Sequence, residues 1–155
     1  MRIVVTGPAQ AATPLVAAAL AAHVRARYLD TAELYPTRSR PGGPPAGEVW
    51  LEALALAFSR ERSLVASSGP LSRARRDIIR ERVPGVTFVE LVADEDTAPA
   101  RRSRWRRPKP VERPQTEPLA ADEQGVRIAN DADLVAVVDR AASLLKRRLG
   151  GEAAG

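Results

Sequence analysis

The sequence contains no cysteine, which excludes a disulfide framework, a thiolate metal site and a cysteine nucleophile, and fits a cytoplasmic protein. His23 is the single histidine. No carboxylate lies in motif range to orient it, so a surface or packing role is expected rather than catalysis or metal binding. Aromatic residues are only 4% of a chain that is 45% hydrophobic, so the core must be built from Ala, Val, Leu and Ile rather than rings. Of 24 basic residues only Lys109 and Lys146 are lysines. No apolar run is long enough to span a bilayer: residues 15–22 continue into His23, Arg25 and Arg27 as one amphipathic helix. Nothing at the N-terminus reads as a signal peptide, so a soluble protein without membrane contact is expected.

What is present is a regular alternation. At 155 residues the chain suits one domain with a real core. Apolar runs predict strands at 2–6, 27–29, 63–67, 87–93 and 125–129. Helix-period segments between them predict helices at 15–24, 47–60, 71–82, 95–106 and 132–149. Strand and helix in turn imply an α/β fold of three layers, a five-stranded parallel sheet flanked by helices. The domain is placed at 1–149, with a Pro/Gly-rich loop at 36–46 and a proline-rich stretch at 108–118. After Leu149 the sequence GGEAAG is expected to end the last helix at glycine and leave 150–155 as a disordered tail.

The stretch GPAQAATP joins the first strand to the first helix, where a phosphate-binding loop would read G-x-x-x-x-G-K-[ST]. Gly7 is in place. The second glycine is Ala12, the lysine is Thr13 and the metal-holding hydroxyl is Pro14. A left-handed backbone costs an L-residue about 1–2 kcal/mol, so Ala12 predicts another loop shape, and Pro14 removes one N–H donor. Thr13-Pro14 also reads as an ordinary helix start, with Thr13 as N-cap and Pro14 as first helical residue. The helix dipole still favours an anion near Gly7 and Thr13, at about 0.3–1 kcal/mol when exposed, too little to hold Mg·ATP.

Read together, four blocks make the chain resemble the gluconokinase family of P-loop carbohydrate kinases, relatives of shikimate kinase. Residues 28–36 (YLDTAELYP) resemble LDGDxLHP, Trp50-Leu51 resembles PWL, and residues 71–77 (LSRARRD) resemble SALKxxYRD. Residues 88–91 with Arg101 resemble the strand and lid-helix start, and residues 117–123 add a further similarity. The resemblance implies a P-loop NTPase-like fold over nearly the whole chain and a reduced lid at 101–118. It also implies Mg·ATP-dependent phosphorylation of a sugar acid, with Arg101 and Arg104 on the nucleotide side and Asp30, Arg73 and Arg76 on the substrate side; Asp30 and Glu33 are substrate-side candidates from their place at the carboxyl end of the second strand. This sequence departs from the pattern at the loop, which is a degenerate Walker A. It departs again at Ala32, where the family has its second aspartate, and at Ser72, where it has lysine.

These departures predict a gluconokinase-like protein that has lost phosphotransfer, needs no cofactor and acts as a binding, regulatory or partner protein. Its expected partner is a small anionic ligand or a protein, with a homodimer compatible. One alternative keeps Mg·ATP and sugar-acid kinase activity, an arginine replacing the loop lysine. A second takes residues 101–107 (RRSRWRR) as a nucleic-acid surface, since arginine engages phosphate and Trp105 can stack a base. Against that, lid arginines and solvated charged helix ends have the same composition, so nucleic acid is not the expected partner.

Overall fold

The computed structural model describes residues 1–8, 11–38, 41–92 and 117–152. In chain order these form β1 (Arg2–Thr6), α1 (Thr13–His23), β2 (Arg27–Asp30), a 3₁₀ turn (Thr31–Leu34), α2 (Ala46–Arg60), β3 (Leu64–Ser67), α3 (Arg73–Arg82), β4 (Thr87–Val92), β5 (Gly125–Ala129) and α4 (Leu134–Glu152). The strands make one parallel sheet in the order β2-β3-β1-β4-β5. The α/β fold and five-stranded parallel sheet expected from the sequence are therefore present.

β1 shows why. Its residues Ile3, Val4 and Val5 are all fully buried, and alternation sends Ile3 and Val5 to one face and Val4 to the other. On the first face α1 and α4 supply Val16, Leu20, Val137 and Leu145. On the second, α2 and α3 supply Trp50, Leu54, Phe58 and Ile79. Each such side chain contributes roughly 1.5–3 kcal/mol by leaving water. Two apolar layers on one sheet give the three-layer architecture.

Several boundaries differ from the sequence reading. α3 begins at Arg73 rather than at Leu71, because the Ser72 hydroxyl accepts the Arg75 N–H at 3.2 Å and caps the helix there. α4 runs on to Glu152, past Gly150, where glycine was expected to end it. β2 extends one residue to Asp30 and β3 starts one residue late, at Leu64. α1 and α2 start earlier than expected, at Thr13 and Ala46. The helix expected at 95–106 and most of the stretch at 108–118 lie outside the described residues.

Candidate functional site

A cleft of about 610 Å³ opens beyond the carboxyl ends of β1, β2 and β3, the edge at which open parallel sheets bind ligands. Its floor is cross-tied. Thr6 donates its hydroxyl to Gly69 O at 2.7 Å, the Ser68 N–H donates to Val5 O at 2.8 Å, and Asn130 Nδ2 donates to Ala11 O at 2.9 Å.

Gly7, Pro8, Thr13 and Pro14 form one wall. Gly7 is required by close approach: a Cβ there would lie 3.1 Å from Leu91 O and 3.3 Å from the Ala11 Cβ. Ala12 corrects the sequence expectation, since it adopts the left-handed region at φ 49, ψ 43 and is itself the N-cap. The strand-to-helix turn imposes that torsion even where no glycine relieves it. Thr13 is consequently the first helical residue, buried and not a cap.

Among the described residues of the loop, donors for a phosphate cradle are few. Pro8 and Pro14 have no N–H, and the Ala11 N–H is turned to Pro8 O at 2.9 Å. Pro14 offers no hydroxyl, and no group of three or more metal-ligating side chains exists among the described residues. The lysine and the following hydroxyl with which a P-loop holds Mg·ATP are replaced here by Thr13 and Pro14.

On the opposite wall Asp30 lines the cleft, and its Oδ1 accepts the Ala32 N–H at 3.0 Å, capping the 3₁₀ turn. Glu33 is exposed and does not line the cleft. Trp50 is fixed by donating Nε1–H to Thr31 O at 2.9 Å, and Tyr35 stacks on it with centroids 5.8 Å apart. Beside them stands Arg75, its guanidinium carbon 5.8 Å from the Trp50 ring centroid. The sequence pattern gives no sign of Arg75, which sits in a run of arginines of equal appearance.

The two arginines singled out from that run do not reach the cleft. Arg76 is 1% exposed and donates two hydrogen bonds to the Glu123 carboxylate, Nε to Oε1 at 2.8 Å and Nη2 to Oε2 at 2.7 Å. It also donates to Leu71 O and Glu117 O. Arg73 pairs with Asp122 at 2.7 Å. Both fasten the segment before β5 onto α3, so their partners, 49 and 47 residues away, set their role. Arg101 and Arg104 lie outside the described residues, as does the rest of the 101–107 cluster. His23 is on the surface, 3.7 Å from Asp139.

The clasp has a pH signature. Hydrogen bonds from Arg76 first, then from the Ala120 N–H and Arg80, outweigh burial and hold the Glu123 carboxyl down from 4.5 to about 2. A folded-state pKa below the unfolded one stabilises fully above about 4.5, and that contribution disappears as pH falls through about 2. Urea midpoints are expected to fall across this window in the wild type. In Glu123→Gln the midpoint should start lower at neutral pH and change less there; equal slopes would remove Glu123 as the source.

Among solved structures, a gluconokinase from Sinorhizobium meliloti 1021 matches with a TM-score of 0.71 at 26% identity, over 94% of this chain and 91% of that one. A sugar kinase from Janibacter sp. HTCC2649 gives 0.69 at 20% identity over 94% of each chain. Shikimate kinase from Aquifex aeolicus vf5 gives 0.60 at 17% identity, over 100% of this chain and 99% of that one. No protein-family model matches the chain, and no curated protein matches it by sequence. The chain has the fold of the gluconokinase and shikimate kinase-like P-loop kinases.

Proposed function

We propose that, on this kinase fold, the chain has lost ATP-dependent sugar-acid phosphorylation and acts as a binding or regulatory protein, its cleft taking a small anion. The loop between β1 and α1 carries this reading. Thr13 stands in place of the ammonium and Pro14 in place of the metal hydroxyl, and the Ala11 N–H is engaged within the loop. Phosphoryl transfer is almost entirely the positioning of charge, and these are the positions that would supply it. On the acceptor side Ala32 offers no carboxylate, while Asp30 already caps a turn.

Removing one such group commonly lowers rate by about 10²–10³, and the losses fall on a single reaction centre. Purified protein with gluconate and millimolar Mg·ATP is therefore expected to release no ADP above the blank. A turnover number of about 1 s⁻¹ or more would sink the proposal.

One observation favours the second reading, a residual sugar-acid kinase using Mg·ATP with an arginine in the lysine's place. Arg75 lines the cleft and has no acidic partner among the described residues. ADP release that depends on gluconate and is abolished by Arg75→Gln would decide for it.

A further inference from the structure

We infer that Arg75 is the oxyanion-recognising residue of the cleft, held in place by Trp50, Tyr35 and the absent side chain of Gly47, and that its ligand is a small carboxylate or phosphate bearing hydroxyl groups. This rests on the cleft's reading as a small-anion site and supplies the anchor that the depleted loop lacks.

The arginines of α3 sort by their partners. Arg73 ends on Asp122, Arg76 on Glu123, and Arg80 on Asp77 at 2.9 Å and Glu123 at 3.0 Å while lying over the Phe88 ring; Arg82 is exposed at the helix end, and Arg75 alone of the five lines the cleft. Arg75 ends on an aromatic ring. A solvated arginine needs no explanation, but this one has a built seat. Trp50 is 2% exposed and pinned by its indole hydrogen bond. Gly47, three residues earlier in the first turn of α2, makes the space: a Cβ there would lie 3.1 Å from Arg75 Nη2 and 3.3 Å from Nη1. Glycine within a helix costs about 0.5–1 kcal/mol relative to alanine, and here it leaves room for a guanidinium.

The Trp50 ring lies within cation–π range of the guanidinium, 5.8 Å from centroid to carbon, and the guanidinium carries paired N–H donors of which a planar oxyanion takes two. Asp30, which lines the same cleft, uses one oxygen on the Ala32 N–H, and its other oxygen remains to accept a ligand hydroxyl. Ser68 and Ser72 line the same space. An anionic head on Arg75 and hydroxyls toward Asp30 define the ligand class.

The test is nucleotide-free titration in a Trp105→Phe background, which leaves Trp50 as the sole tryptophan. Gluconate, glycerate, inorganic phosphate and neutral glycerol are followed by Trp50 emission and by calorimetry. At least one anion is expected to bind, with glycerol silent; saturation by the hydroxy acids or by phosphate identifies the head group. Arg75→Gln should weaken binding about 10- to 100-fold, as loss of a charge-assisted contact does. Gly47→Ala keeps the charge but crowds the guanidinium by a few tenths of an ångström, and should weaken binding less than Arg75→Gln does, with the fold intact by circular dichroism. Arg82→Gln, exposed at the far end of α3, should change nothing. Unchanged affinity in Arg75→Gln, or a wild type that binds none of the anions at millimolar concentration, overturns the inference. ADP release is measured separately, so phosphotransfer by the wild type would fail the reading of lost activity without touching Arg75's role.

Discussion

Replacing Arg76 by methionine is expected to lower the unfolding free energy by about 3–5 kcal/mol, the usual cost of leaving one member of a buried ion pair alone. Arg76 and Glu123 are 1% and 5% exposed and share two hydrogen bonds. The variant would leave the carboxylate with only Arg80 and the Ala120 N–H, and would strand the carbonyls of Leu71 and Glu117. In thermal unfolding the loss corresponds to roughly 6–20 °C for a chain of this size. The double variant Arg76→Met with Glu123→Met should recover much of it, because removing both charges also removes the cost of burying them. A single variant as stable as the wild type would show that the segment before β5 is held by other means.

The second large effect is a gain. The triple variant Ala12→Gly, Thr13→Lys and Pro14→Ser is expected to bind Mg·ATP on the order of 10²–10³-fold more tightly than the wild type, since it returns an ammonium, a metal hydroxyl and one N–H. The frame suits the change: Ala12 already holds the left-handed torsion that glycine adopts without strain. Gluconate phosphorylation should stay absent until Ala32→Asp is added, because transfer needs the acceptor oriented at near-attack distance. Phosphorylation by the triple variant alone would mean the acceptor site lies elsewhere. No Mg·ATP binding in calorimetry would place the loss beyond the loop, toward Arg101 and Arg104.

β1 and β5 are legible to the residue in the sequence, because strands of a parallel sheet announce themselves as short apolar runs between turn signals. Helix starts are less so, since the Ser72 cap makes α3 begin at Arg73, two residues inside its apparent beginning. The left-handed Ala12 is illegible because the demand comes from packing α1 back onto β1, not from local preference. The candidate site divides in the same way. Gly7, Thr13 and Asp30 line the cleft because strand ends and the first loop fix them. Arg73, Arg75 and Arg76 cannot be ranked without knowing which of them meet Asp122 and Glu123.

The bond from Asn130 to Ala11 joins the end of β5 to the loop after β1, residues 119 apart in sequence. With the ties from Thr6 to Gly69 and from Ser68 to Val5, it makes the loop side of the cleft a braced jaw. The Tyr35 side is built differently: it leads into an exposed connection, with Gly42 at φ +76 and few apolar residues to anchor it. A change in the width of the cleft would then be taken up on the Tyr35 side rather than by the loop, which three hydrogen bonds tie to neighbouring strands.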